Sequence, residues 1–186
     1  DAADAPAHVL DLVRAGSPSG RLDGVVTTHR HADHLRALAP VVAATGASSA
    51  AGEPDADAVA AASGVPGGRR LRHGDVLRVG ALDFEVVALR GHTPGSVALA
   101  YREPDDVAEP EAVPGRVHLF TGDSLFPGGV GNTDRDPARF ASLLSDVVGR
   151  VFDRFDDATW VYPGHGADTT LGAERPHLAE WRERGW

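Results

Sequence analysis

Short β-rich apolar runs alternate with segments of helical spacing along this chain. "LDGVVTTH" (22–29) is nearly all apolar, which predicts a strand buried on both faces. "DHLRALAPVVAATG" (33–46) spaces Leu35, Leu38, Val41 and Val42 as a helix, with Gly46 as its stop and Pro40 as a kink or break inside it. "SSAAG" (48–52) reads as a strand and "DADAVAAAS" (55–63) as a short helix. Residues 75–91 read as two strands around Gly80, and "SVALAY" (96–101) and "RVHLFTGDSLF" (116–126) as two more. Between them lies an acidic, proline-rich loop. Asp136 caps a helix over 136–152 with Pro137 at its first position. "ATWVYPGHG" (158–166) predicts a last strand and turn, residues 174–186 a final amphipathic helix, and Val9, Leu10 and Val13 an opening one. The alternation is that of an α/β fold, without a solenoid-length repeat or a linker that would divide it. We therefore expect one domain over residues 1–186.

Composition narrows the function classes. Hydrophobic (42%) and charged (24%) fractions are those of an ordinary globular chain. No apolar run approaches the roughly 18 residues of a membrane span, and no secretory signal pattern opens the sequence. A net charge of −9 argues against nucleic acid or an anionic membrane as partner, since both recruit a basic face. All 18 basic residues are arginine. Cysteine is absent, so any metal chemistry must use nitrogen and oxygen ligands, and the cytoplasm is the default compartment. Methionine is absent too, so residues are expected to precede Asp1.

The candidate chemistry sits where strands end, the usual place for a site in an open α/β sheet. "THRHADH" (28–34) spends three of nine histidines on six positions. If the backbone stays extended, His29 and His31 point to the same side, while Asp33 and His34 follow as the chain turns into a helix. One segment could thus address two metal ions. "GHTPGS" brings His92, "TGDS" Asp123 and "PGHG" His165, each in a glycine turn after a strand. Alone, each would read as a polar turn residue. Together the four segments supply five histidines and two aspartates, enough for two metals. His8, His73, His118 and His177 lack that context and read as ordinary polar positions.

These motifs, in this order, resemble the metallo-β-lactamase superfamily, and most of all its hydroxyacylglutathione hydrolase (glyoxalase II-like) branch, over most of the chain. The resemblance implies a four-layer αββα sandwich whose N-terminal strands lie before the given chain. It also implies a dinuclear metal site. Carried over by position, His29, His31 and His92 hold the first metal, Asp33, His34 and His165 the second, and Asp123 bridges them. The cofactors so implied are two divalent ions, most simply Zn2+, with iron or manganese as alternatives. Two such ions roughly 3.5–4 Å apart can acidify a shared water to a metal-bound hydroxide that attacks a carbonyl, with Asp33 as a catalytic proton handler.

Three departures bear on the substrate. Asp123 stands where metallo-β-lactamases proper have a cysteine or another non-bridging residue, which favours the hydrolase branch. Only 21 residues follow His165 in this sequence, and lysine is absent, whereas glyoxalase II grips glutathione with a basic C-terminal helical domain, so glutathione recognition in that manner is not expected. Asn132 replaces a usual basic residue in "FPGGVGNTD". The expectation is a thioesterase-like enzyme acting on a small-molecule acyl thioester or related ester. The alternatives are a mononuclear iron persulfide dioxygenase or a lactonase of the same superfamily, and then a non-catalytic metal-binding domain.

Overall fold

The computed structural model describes residues 1–17, 19–106 and 112–185. Residues 107–111 of the acidic loop and Trp186 of the final predicted helix lie outside them. The chain forms two compact units, Asp1–Leu71 and Arg72–Trp186.

The first unit winds strands and helices alternately. Helix α1 (Pro6–Gly16) precedes β1 (Gly24–Thr27), a 3-10 turn (Ala32–His34), α2 (Leu38–Thr45), β2 (Ser48–Gly52), α3 (Ala56–Ser63) and β3 (Arg69–Leu71). The three strands form a parallel sheet in sequence order, as crossover helices require. Gly46 and Gly64 end α2 and α3 with φ of 71° and 73°, in the left-handed cap that favours glycine. Leu35, Leu38, Val41, Ala51 and Val59 form the core. Two expectations change here. Pro40 does not break α2, because the helix begins at Leu38 and Pro40 falls in its first turn, where no intrahelical N–H bond is lost. Strand β1 is half-buried rather than buried on both faces: among the described residues it pairs only with β2, and Val25 and Val26 are intermediate.

The second unit centres on a six-stranded sheet. It comprises β4 (Val76–Val79), β5 (Leu82–Ala88), β6 (Val97–Arg102) and β7 (Val117–Gly122). The chain then forms a small hairpin, β8 (Leu125–Phe126) and β9 (Gly129–Val130), and helix α4 (Pro137–Val147). Strands β10 (Trp160–Pro163) and β11 (Thr169–Thr170) and helices α5 (Leu171–Glu174) and α6 (Leu178–Arg184) complete the unit. Sheet order is β11-β10-β7-β6-β5-β4, with β10 and β7 parallel and the other pairs antiparallel. Alternation along β7 puts Val117, Leu119 and Thr121 inside while His118 and Phe120 face out. One face packs on Leu143, Val147, Phe152 and Trp181. The single strand expected over 116–126 is interrupted at Asp123 and Ser124, where a turn closed by Ser124 N–H to Thr121 O redirects the chain. Asp136 caps α4 as expected, accepting from the N–H groups of Ala138 and Arg139. The helix then continues as a π turn over Val148–Phe152. The short strands β3, β9 and β11 carry too few residues to show a period.

Candidate metal centre

The two units each gather part of the predicted ligand set. In the first, the chain leaves β1 at Thr27, bends over residues 28–30 rather than staying extended, and is extended again at His31, yet the rings of His29 and His31 still meet. His29 Nε2 and His31 Nδ1 come within 3.1 Å. Two nitrogens bound to one tetrahedral zinc at about 2.0–2.1 Å would lie roughly 3.3 Å apart, so this spacing suits a shared cation. The 3-10 turn brings His34 back under them, with its ring centroid 4.2 Å from that of His29. His34 Nε2 lies 3.9 Å from an Asp33 carboxylate oxygen.

Hydrogen bonds fix which imidazole nitrogen is open. Thr28 donates its hydroxyl to Asp1 Oδ2 at 2.8 Å, so Thr28 Oγ1 accepts from His29 Nδ1–H at 3.2 Å. His34 Nδ1–H donates to the same Asp1 oxygen at 2.7 Å. Both bonds leave the Nε2 lone pair available, the tautomer a metal ligand needs. Asp1 also accepts the Thr28 N–H at 2.6 Å. One carboxylate thus orients two candidate ligands.

Arg30, between the two histidines, is turned away from them. The fully buried Asp55, at the start of α3, accepts the Arg30 N–H at 3.1 Å and stands 3.9 Å from its guanidinium. That contact pins the backbone between the two rings.

In the second unit, three turns at strand ends carry His92, Asp123 and His165. Asp123 Oδ2 lies 3.8 Å from His92 Nε2 and 3.7 Å from His165 Nε2. One carboxylate oxygen between two imidazoles is the disposition expected of a bridging ligand. His92 Nδ1–H donates to the Asn132 carbonyl at 2.7 Å, and since a carbonyl can only accept, Nε2 is again the open nitrogen. Gly131 makes this possible: a Cβ there would sit 1.7 Å from the Asp123 carbonyl oxygen, so only glycine lets the two backbones touch.

The His92 turn is clamped onto α4. Arg90 donates its N–H (2.9 Å), Nε–H and Nη2–H (both 2.8 Å) to Asp146, a buried carboxylate on that helix. Burial would push the Asp146 carboxyl up, but these bonds and the nearby Arg150 outweigh it and hold the group below the usual carboxylate range. Arg139 donates to the carbonyls of Gly91 and His92. Gly91 has φ of 148°, and a Cβ on it would meet Arg139 O at 2.4 Å.

A cavity of about 520 Å3 opens beside His92 and Asp123. Phe126, the glycine-rich stretch Gly128–Gly131, Arg135 and Arg184 are among the residues that line it. Its size is that of a small-molecule site.

Every residue expected to ligate metal from the sequence falls in one of these clusters: His29, His31, Asp33 and His34 in the first, and His92, Asp123 and His165 in the second. With nitrogen and carboxylate donors only, open Nε2 atoms and buried supports, the residues fit a divalent cation. His118 stands apart, bonded to Tyr162 and Glu103 on the outer sheet face. Sequence reasoning missed Asp1, Asp55, Asp146 and the Asn132 carbonyl. Each supports a ligand from a distant position through hydrogen bonds alone, which leaves no period or motif to find.

The family model described as the metallo-beta-lactamase superfamily matches residues 2–108. The hydroxyacylglutathione hydrolase GloC of Haemophilus influenzae is 32% identical over 104 residues, covering 56% of this chain and 43% of that protein. The crystal structure of ETHE1 from Myxococcus xanthus superposes with a TM-score of 0.70 at 29% identity, over 93% of this chain and 68% of that one. TTHA1623, solved in a di-iron-bound form, gives 0.66 at 31% identity over 94% and 84%. The chain spans about half the length of the curated relatives it matches. With more than half of its residues inside the family match, the chain belongs to the metallo-beta-lactamase superfamily.

Proposed function

We propose that this chain carries the catalytic centre of a metal-dependent hydrolase that cleaves an acyl thioester or related acyl ester in the manner of the glyoxalase II-like branch. The observation that carries the reading is Asp123, whose Oδ2 stands between two imidazole Nε2 atoms at 3.8 and 3.7 Å. In this reading His29, His31 and His92 hold one divalent cation, Asp33, His34 and His165 hold a second, and Asp123 bridges them. The similarity to a protein solved with two irons supports a dinuclear occupancy, with zinc or iron as the ion.

Bound there, the cations supply Lewis acidity, polarising an acyl carbonyl and lowering the pKa of water from roughly 15.7 towards about 7. In this reading Asp33 would take up a proton from water and release it to solvent, a role its 46% side-chain exposure supports. Asp1 and the Asn132 carbonyl keep His34 and His92 in their ligating tautomers. Phe126, Pro127 and Val130 give the cavity the apolar wall an acyl or thiol chain needs.

Metal content by elemental analysis, paired with turnover of S-lactoylglutathione beside other acyl thioesters, tests the proposal. Thioester hydrolysis that tracks metal loading is expected. Oxygen uptake with a persulfide, at one iron per chain and without thioester turnover, would replace this reading by the dioxygenase one.

A further inference from the structure

The cavity beside His92 and Asp123 carries two guanidinium groups, and nothing in the fold requires one of them. Arg184, on α6, has a structural role, since its Nη2 donates to the Gly128 carbonyl at 2.9 Å and packs on Gly129. Glu180 lies 3.6 Å away from its Nη1. Arg135 differs. It is exposed at the cavity wall, and among the described residues no carboxylate or carbonyl pairs with it.

Local structure offers no reason for a cation at position 135. The residue directly precedes Asp136, the N-cap of α4, and a positive charge at a helix N-terminus opposes the helix dipole. Asp134 and Arg135 both sit in the left-handed region, at φ of 55° and 57°, a conformation unfavourable for residues with a Cβ. Asp134 is held there by its neighbours: Asn132 Oδ1 accepts its N–H at 2.8 Å, and its carboxylate accepts from Arg139 at 2.6 Å. The Asp134 charge is therefore engaged with Arg139, and Arg135 is carried to the cavity uncompensated. Such strained pairs persist where the surroundings over-determine them, and they cluster at ligand sites. The chain as a whole bears −9, so two arginines at one cavity do not reflect a generally basic surface.

We propose that Arg135 is a specificity residue that selects substrates carrying an oxyanion group, a carboxylate or a phosphate, on the portion that fills this cavity, with Arg184 as the second positive wall. The inference rests on the hydrolase reading for the identity of the ligand as a substrate. The recognition itself is a binding property and can be measured without turnover. Guanidinium presents a planar fork of donors that matches either oxyanion, and a charge-assisted, bidentate pair is the stronger class of hydrogen bond.

Calorimetric titration of the full chain, metal-loaded and chelator-stripped, with three thioether probes tests this. The probes are 3-(methylthio)propanoate, its neutral amide and 2-(methylthio)ethyl phosphate. We expect at least one anionic probe to bind roughly tenfold or more tighter than the amide, and its identity separates carboxylate from phosphate as the recognised group. Arg135→Ala should abolish that preference while leaving amide binding and the circular dichroism spectrum unchanged, and Arg135→Lys should restore part of it. Equal binding of all probes, no binding of either anion, or a preference that survives Arg135→Ala and so belongs to the metals would overturn the proposal. Absence of thioester turnover, with the preference intact, would instead count against the hydrolase reading alone.

Discussion

Replacing Asp146 by alanine should destabilise the protein by about 2–4 kcal/mol and loosen the turn that carries His92. The carboxylate is 5% exposed and receives three hydrogen bonds from Arg90, with Arg150 Nε a further 3.4 Å away. Hydrogen bonds to charged groups contribute about 1.5–3 kcal/mol each, so a simple sum would exceed 4 kcal/mol. The sum overstates the loss, because the Arg90 side chain is 55% exposed and its guanidinium regains water once the partner is gone. What solvent restores least is the acceptor for the Arg90 backbone N–H, at about 1–3 kcal/mol, with a remainder for the ion pair. The pH dependence is specific. The folded carboxyl is held below its unfolded value, so its stabilisation is present above the unfolded pKa of about 3.9 and is lost as pH falls through the folded one. Urea unfolding of wild type and Asp146→Ala should give a constant difference from pH 7 to 5, shrinking below about pH 4. A double-mutant cycle with Arg90→Ala should show coupling, since both changes remove the same side-chain bonds. A difference under about 0.5 kcal/mol, or one that grows on acidification, would mean that Asp146 does not clamp the turn in this way.

Gly91→Ala would place a methyl 2.4 Å from Arg139 O and 2.5 Å from Leu143 Cβ at a φ of 148°, so a loss of about 3 kcal/mol or more is expected in the same urea assay. Gly131→Ala would drive a Cβ into the Asp123 carbonyl, and a clear drop in metal affinity by competition with a chelator is the expected result. Asp1→Asn removes the charge that orients His34 and, through Thr28, His29, and metal affinity should fall about 10–100-fold with little change in the far-UV spectrum. Arg30→Ala leaves the Arg30 N–H to Asp55 intact and should shift metal affinity by less than the Asp1 change does.

Much of this was legible in the sequence because it is local. The helix stops at Gly46 and the cap at Asp136 are single-residue signals tied to backbone geometry. The seven candidate ligands stand out because each pairs a ligand type with a strand-end turn, a conjunction that short-range spacing reveals. What stayed hidden is long-range or very short. The clamp between Arg90 and Asp146 spans 56 positions, and Asp1 lies 33 before the histidine it orients. Two-residue strands such as β9 and β11 have no period to detect. Pro40 misled because a first-turn proline and a breaking proline look alike until the helix start is known.

Whether Asp123 bridges two cations is decided by elemental analysis of the purified protein and its Asp123→Ala variant after equilibration with zinc. About two metals per chain are expected in the wild type and a substantial loss in the variant, with the fold intact by circular dichroism. Fewer than about one metal per chain in the wild type, or full occupancy without the Asp123 carboxylate, would contradict the bridging role.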